Sequence, residues 1–538
     1  MQTYELQIEG MTCDHCALII EKKLDIEGVK EKKVSYPEKK AVVSFDETLT
    51  NIEAIQETIN SIGNYKVTDV SQEEKHLIII GGGSAAFAAT IEAKEHGVKV
   101  TMINDGLPIG GTCVNIGCVP SKNLIRAAQT LYNANNNPFG GITSSAKLAD
   151  FKTVIEEKTK LVLDLREQKY INIIKDMENF EFIEGHASLV SPTAVEVNGR
   201  IIEGSHILIA TGARPMIADI EGLSEVDYLT NDEAFALESL PASMIILGGS
   251  YIALEMAQMF ARFGSKITVL QRSERILSHE SPDITDMLSG YLQDEGIEII
   301  TDNVIQSVHQ KNGSVIVKTV VGDETLEIEA EKIVVATGRV ANTQNMNLES
   351  LDLSLHVNGA VKVNDFGQTN VATIYAAGDV TGEHMFVYTA AYEAKTAVAN
   401  MFSSSQQKLD FSVLPWVIFT DPQVAGVGLD EKQAKDKGID FEVATLPLSY
   451  VPRAIAAKDT RGMIKLLRNT ADDTLIGARI VAAEGSELLM EISVAMKFGI
   501  KVSDLKEMLH PYLTLGEGIK LAAITFDKNV KELSCCAT

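Results

Sequence analysis

Apolar and polar residues alternate over residues 3–10, the period of a half-buried strand. From Cys16 to Leu24 the spacing shifts to that of a helix carrying Ala17, Leu18, Ile20 and Leu24. Val34 to Phe45 reads as two strands around Pro37-Glu-Lys-Lys, followed by a helix from Ile52 to Ile62 and a last strand near Tyr65 to Val70. The pattern changes at His76. His76 to Ile80 is an unbroken apolar strand that runs into Gly81-Gly-Gly-Ser-Ala-Ala, then a helix to His96 and a strand from Val98 to Ile103. The same succession recurs at Met244 to Leu247, with Gly248-Gly-Ser-Tyr-Ile-Ala, a helix to Phe263 and a strand from Lys266 to Leu270. Beyond the polar stretch Ser403-Ser-Ser-Gln-Gln, a strand-rich region with Leu475 to Ala482 leads into an apolar helix from Ser486 to Phe498.

These patterns predict a multidomain chain of α/β and α+β class. The βαββαβ order of residues 1–70 predicts a ferredoxin-like domain, and Ser71-Gln-Glu-Glu-Lys a short polar linker over 71–75. The two strand–glycine turn–helix–strand units predict Rossmann-like dinucleotide-binding domains. The first comprises 76–226 and 345–410, the second 227–344, and 411–538 forms a further α+β domain. A chain of 538 residues is too long for one ordinary core and suits about three or four domains.

Composition adds limits on partners. Hydrophobic residues are 45% and charged residues 23%, an ordinary globular balance. A formal net charge of -26 repels phosphate backbones and anionic membranes, which argues against nucleic acid as a partner. The start, Met1-Gln-Thr-Tyr-Glu, lacks a basic region followed by an apolar core, and no apolar run approaches the roughly 18 residues of a spanning helix. The expectation is a cytoplasmic protein without membrane insertion. Six cysteines are too few for a secreted disulfide framework, and their close pairing suits metal or redox work in a reducing compartment.

Gly81-x-Gly83-x-x-Ala86 lies between strand and helix, where its glycines let a pyrophosphate approach the helix N-terminus. An acidic ribose partner is missing: Asn104 ends the second strand and Asp105 follows, and either can bond a ribose hydroxyl. In the second unit, Gly248, Ser250 and Ala253 form a degenerate version of the motif, with serine in place of a glycine. Arg272 and Arg275 follow its second strand, where a carboxylate would select NAD. Arginine there favours a 2′-phosphate and hence NADPH, unless both are merely solvated surface charges.

The cysteines form three pairs. Gly110-Gly-Thr-Cys113-Val-Asn-Ile-Gly-Cys118-Val-Pro-Ser-Lys122 puts two thiols five residues apart, on the first turns of a helix, where the dipole favours thiolate. Cys13 and Cys16, in Gly10-Met-Thr-Cys-Asp-His-Cys, lie between the first strand and first helix, and two thiolates on a loop suit a soft, low-coordinate ion better than zinc. His15 is expected to be exposed. Cys535 and Cys536 are adjacent; neighbouring Cα atoms about 3.8 Å apart make a disulfide strained, so a metal-capturing dithiol fits better.

The Gly110–Lys122 string resembles the redox-active segment of the flavin-dependent pyridine nucleotide–disulfide oxidoreductases. Ile209-Ala-Thr-Gly212, Val335-Ala-Thr-Gly338-Arg339 and Tyr375-Ala-Ala-Gly378-Asp379-Val380 extend the resemblance over 76–538. Residues 1–70 are similar to heavy-metal-associated domains. With all three pairs present, the chain resembles the mercury-reducing branch of that family. The resemblance implies FAD and NADPH as cofactors, Hg(II) as substrate, and a homodimer with the active site across subunits. It also implies a mercury-delivering membrane transporter as a partner.

By the same resemblance Cys113 and Cys118 form the flavin-side pair, with Cys118 nearer the ring, and Lys122 and Glu255 form a charge pair beside flavin and nicotinamide. Tyr170 and Tyr512 match tyrosines at the mercury site. Nucleotide contacts are implied at Gly111, Thr112, Thr211, Gly212, Gly378, Asp379 and Gly338. Disulfide-reducing relatives use His-Pro-x-x-x-Glu as an acid–base dyad, whereas here His510-Pro-Tyr-Leu-Thr-Leu-Gly-Glu517 moves the carboxylate two residues farther, so the dyad is expected to be broken and His510 is left as a possible base. The expected reaction is NADPH-dependent reduction of Hg(II), passed from Cys13/Cys16 or free thiols through Cys535/Cys536 to Cys113/Cys118. Two alternatives stand beside it: a lipoamide- or glutathione-type disulfide reductase with a metal-binding appendage, and a copper-binding or delivery protein.

Overall fold

The structure is a computed structural model that describes residues 2–72, 75–403 and 405–532, in two compact units. In the smaller unit, β1 (Gln2–Glu9), β2 (Val29–Ser35), β3 (Lys40–Phe45) and β4 (Lys66–Gln72) form an antiparallel sheet in the order β2-β3-β1-β4. The helices α1 (Asp14–Lys23) and α2 (Ile52–Asn60) complete the βαββαβ order. Leu6 and Ile8 of β1, Ala41, Val43 and Phe45 of β3, and Ala17, Ile20, Ile55 and Ile59 of the helices make one core. Each large apolar side chain buried there contributes about 1.5–3 kcal/mol. Leu18 departs from the expected apolar stripe and is 62% exposed. At 100° per residue it sits off the face shared by Ala17, Ile20 and Leu24. The side chain of Asn51 accepts the Ala54 N–H at 2.9 Å and caps α2.

The larger unit contains two nucleotide-type sheets built on one plan. The first has the order Ile374–Ala376, His206–Ile209, β5 (His76–Ile80), β6 (Lys99–Asn104) and β7 (Phe180–Glu184), with α3 (Ser84–Glu95) between β5 and β6. All five residues of β5 are buried, which is why its sequence shows no alternation. The second sheet has the order Tyr228–Leu229, Lys332–Val335, Ser243–Leu247, Lys266–Leu270, Glu298–Ile300, with parallel neighbours throughout.

The two turns are wired alike. Gly81 N–H donates to Ile103 O and Ala210 N–H to Ile80 O; Gly248 N–H donates to Leu270 O and Ala336 N–H to Leu247 O. Both glycines have positive φ, 130° and 113°, and a Cβ on either would stand 2.2 Å from Ala210 O or 2.4 Å from Ala336 O. No other residue type fits those turns without moving a strand end.

The carboxy-terminal sheet is antiparallel, in the order Trp416–Ile418, Gln423–Gly428, Leu475–Ala482, Met463–Asn469, Phe441–Pro447, and is backed by the helix Gly485–Lys497. Buried ion pairs tie it to the second nucleotide unit. Lys465, 1% exposed, holds Asp283 at 2.9 Å and Glu431 at 2.7 Å, and Arg479 holds Glu280 at 2.6 Å. Arg262 bonds Glu295 and Asp421, and Arg461 reaches the same Asp421 at 2.9 Å. Loss of one partner from such a buried group costs about 3–5 kcal/mol, because it strands the other charge.

Candidate active site

Cys113 lies in the short helix α4 (Gly111–Asn115) and Cys118 is the first residue of α5 (Cys118–Asn135). The expectation of a single helix gives way to two, because the chain breaks at Ile116-Gly117; a Cβ on Gly117 would stand 2.9 Å from Thr112 O. Gly110 and Gly111 have φ of 98° and 62°, and a Cβ on Gly111 would lie 2.7 Å from Gly83 Cα. The two glycine loops therefore touch, and both open onto one cavity with Thr112, Cys113, Cys118, Gly212 and Gly378.

The two thiols are chemically unequal. A hydrogen bond from Cys113 lowers the Cys118 thiol to about 7, against partial desolvation, and Lys122 adds positive charge. The same hydrogen bond, with burial, pushes Cys113 up. Cys118 thus carries the thiolate at the N-terminus of an 18-residue helix while Cys113 keeps its proton. Lys122, one turn along α5, bonds Glu255 Oε2 at 2.7 Å and lies 4.7 Å over the Phe419 ring. Glu255 Oε1 accepts the Phe419 N–H at 2.9 Å, so this buried carboxylate is satisfied on both oxygens.

Tyr170 lies in a π-helical turn, Glu167–Ile171, that follows α6 (Phe151–Arg166). Its ring packs edge-on against Phe87 at 4.8 Å and lies beside Gly110, and burial, with the charge of the nearby cysteines, raises its hydroxyl. It is not the ordinary surface aromatic its charged surroundings suggest. Tyr388 escaped the sequence reading: it donates to Pro415 O, and its hydroxyl is raised by burial and by Cys118. No local motif marks it.

The nucleotide residues divide by turn. Asn104 packs on Gly82, where a Cβ would come within 2.6 Å of its Oδ1, and donates to Leu107 O at 2.9 Å. Gln271 holds the equivalent place against Gly249, 3.0 Å from a Cβ there, and was also missed. Neither unit therefore offers a carboxylate at this place. Ser250 precedes the helix Tyr251–Phe263 without capping it, and Ala86 and Ala253 are fully buried where those helices begin. Thr211 donates to Asn342 O at 2.6 Å, and Gly338 has φ of 134°. Arg275 is engaged by Asp286 at 2.9 Å and by Glu274 at 3.8 Å, whereas Arg272 is exposed. Asp379 follows Gly378 and stands 3.7 Å from Arg339 Nε.

The amino-terminal pair is also unequal. Cys13 Sγ and Cys16 Sγ are 3.6 Å apart, and Thr12 Oγ1 is 3.6 Å from Cys16. The Tyr65 hydroxyl, followed by Thr12, lowers Cys16 to about 6. His15 is exposed, as expected.

Residues 75–394 match the family described as Pyridine nucleotide-disulphide oxidoreductase, residues 414–523 its dimerisation domain, and residues 5–65 the Heavy-metal-associated domain. The chain belongs to the pyridine nucleotide-disulphide oxidoreductase family. It is 41% identical to a mercuric reductase of Lysinibacillus sphaericus over 100% of both chains, and 40% identical to one of Staphylococcus aureus over 99% of both. Among solved structures it is similar to the Cu(II) complex of the HOCl-induced flavoprotein disulfide reductase RclA from Escherichia coli, with 28% identity and a TM-score of 0.76, over 85% of this chain and 100% of that one.

Family membership implies use of a flavin and a pyridine nucleotide, and the dimerisation domain indicates a homodimer. The cavity fits a flavin dinucleotide: two touching glycine loops, an uncapped helix start and the redox pair share one wall. No helix among the described residues is long and apolar enough to cross a membrane. In disulfide-reducing members a carboxylate five residues on partners the histidine. Here His510 Nε2 instead meets Glu491 Oε1 at 2.7 Å, from the helix Gly485–Lys497, while Glu517 accepts the Leu513 N–H. The local dyad is absent as expected, but His510 has recruited another carboxylate. Tyr512 is 51% exposed near it in sequence, and Cys535 and Cys536 lie outside the described residues.

Proposed function

We propose that this chain reduces Hg(II) to volatile Hg(0) with NADPH, through FAD and paired cysteine thiolates. The observation that carries the reading is the unequal Cys113/Cys118 pair beside Lys122–Glu255, two soft ligands of which Cys118 is lowered to about 7 and is partly thiolate at neutral pH. The likeness to mercuric reductases along the whole chain supports it.

When bound, FAD supplies the two-electron relay from NADPH to the thiol site. Gly81, Gly83 and Ala86 would admit its pyrophosphate to the start of α3, and Asn104, whose amide donates to Leu107 O, would offer its Oδ1 to the ribose. Gly248, Ser250 and Ala253 do the same for NADPH, with Arg272 as the freer of the two arginines for the 2′-phosphate. The Cys118 thiolate attacks a mercury dithiolate, forming one sulfur–mercury bond and releasing one small thiolate. Cys113 then displaces the second ligand, and its retained proton leaves with that thiol. Two electrons convert the bound Hg(II) to Hg(0), which has little affinity for sulfur, and both cysteines remain as thiolates. Lys122 keeps positive charge beside them, and Tyr170 stands close enough to feel their charge. Cys535 and Cys536, from the other subunit, carry the ion in, with Cys13 and Cys16 as an earlier station; Tyr512 lies on this route. The setting is cytoplasmic, with a membrane transporter as the mercury source.

The test is NADPH oxidation by the purified protein with Hg(II) and excess small thiol, with mercury vapour trapped from the headspace. Matched NADPH loss and Hg(0) release, abolished in the Cys535→Ala/Cys536→Ala variant, supports the reading. NADPH loss with a disulfide and no vapour overturns it in favour of a disulfide reductase, the alternative that the His510–Glu491 contact favours. For the nucleotide, Arg272→Ala should weaken NADPH more than Arg275→Ala; equal and unchanged affinities would remove the 2′-phosphate assignment.

A further inference from the structure

Glu393 lies on the helix Val387–Phe402 and is 4% exposed. Its Oε2 accepts the Gly378 N–H at 2.7 Å. Gly378 has φ of 81° and ψ of -160°, a conformation essentially restricted to glycine, and a Cβ there would stand 3.1 Å from Ala390 Cβ. The turn is held from its other side as well, since Thr381 N–H and Thr381 Oγ1 both donate to Gly378 O at 2.9 Å. Gly378, Asp379 and Ala390 line the cavity assigned to the flavin, so Glu393 braces that wall from behind.

The charges around it are mostly of its own sign. Asp379 on the turn and Glu383 on the following loop act on it directly, Arg339 stands 3.7 Å from Asp379, and on its own helix Lys395 is drawn to Glu92 of α3 at 3.7 Å. Burial raises Glu393 to about 7 against the Gly378 N–H, which favours the ionised form, with Asp379 and Glu383 adding to the rise, and burial also raises Asp379. An ionised Glu393 would place a second buried negative charge behind a site built for an anionic dinucleotide.

Resting on the flavin reading above, we propose that Glu393 is a positioning residue that holds the Gly378–Asp379 turn, and that its ionisation, by adding buried negative charge behind the flavin site, makes flavin retention weaken as pH rises. In its protonated form the carboxyl still accepts the Gly378 N–H through its carbonyl oxygen. For folding, the raised folded-state value means that the stability Glu393 confers is complete below the unfolded carboxyl range, near 4.5, and is lost as pH rises through about 7; flavin affinity takes the same sign because the ionised carboxylate repels an anionic dinucleotide.

The experiment measures FAD affinity of the full chain from pH 6 to 8.5 by recovery of free-flavin fluorescence, and melting of the flavin-free chain over the same range. Wild type should lose about tenfold in affinity across that range, the change that a one-unit difference in the Glu393 pKa between bound and free protein gives. Glu393→Gln keeps the acceptor without the charge and should hold the low-pH affinity with a flat profile. Glu393→Ala, which loses the acceptor, should bind weakly at every pH. A Glu393→Gln profile as steep as wild type overturns the proposal, as does wild-type affinity in both variants. Failure of wild type to bind FAD at any pH removes the flavin reading itself. In that case a melting profile that flattens in Glu393→Gln still supports the protonated brace, and one that does not overturns it.

Discussion

The two described cysteine pairs solve the same chemical problem by different means. At Cys13/Cys16 the stabilising group is a tyrosine hydroxyl, Tyr65, acting on Cys16 in the first turn of α1. At Cys113/Cys118 it is the partner thiol, reinforced by Lys122 and by the start of a long helix. The first pair is suited to taking up and giving away a soft ion, since among the described residues no ammonium group acts on Cys16. The second couples its thiolate to a proton on Cys113 and to a fixed cation, as electron transfer to a bound ion requires. The difference teaches that thiol spacing alone does not assign a role; what donates to the sulfur does.

Removing either pair should expose the difference most strongly. Cys118→Ala should lower Hg(0) release by about 10³-fold or more, as expected when a member of a unit is lost, whereas Cys13→Ala/Cys16→Ala should change turnover on small mercury–thiol complexes by about twofold at most. Comparable losses in the two variants would end the distinction between carrier and reactor.

The next effect is electrostatic. Lys122→Met strands the buried Glu255 and should destabilise the fold by about 2 kcal/mol, less than for a fully buried pair because Lys122 is partly exposed. It should also move the Cys118 thiolate transition upward from about 7, read as the pH dependence of alkylation in the reduced protein. An unmoved transition would assign the low value to Cys113 alone.

Tyr65→Phe should produce a smaller change at the other pair. Cys16, now lowered to about 6, should titrate closer to an ordinary thiol, so its alkylation at pH 7 should slow by about tenfold, while at pH 9.5 the two proteins should react alike. Thr12→Val removes the weaker contact, and a slowing of about twofold at pH 7 is expected. If Thr12→Val has the larger effect, the hydroxyl of Tyr65 is not the principal donor.

Much of this organisation was legible in the sequence where the signal was local. The unbroken apolar strands, the glycine turns after them and the alternation in β1 each fix structure within a few residues. The Lys122–Glu255 contact, across 133 positions, was accessible only through the family resemblance. What stayed hidden depends on folding distant segments together. Tyr65 reaches Cys16 because β4 lies beside β1, and Glu491 meets His510 because a helix returns over the final loop. Gln271 gains its place only when its strand lies beside Gly249. The break between α4 and α5 was missed because Gly117 was read as part of a helix, whereas contact with Thr112 leaves no room for a side chain there.

The hydrogen bond between Cys113 and Cys118 also bears on damage and repair. A thiol as acidic as Cys118 is a target of peroxide, and a lone sulfenic acid would go on to irreversible sulfinic acid. Once Cys118 is oxidised, the charge that held the proton on Cys113 is gone, so Cys113 can deprotonate and condense with the sulfenic acid to give a disulfide and water. The product is a bond that two electrons reopen, so an oxidative hit on this site becomes a pause in its cycle.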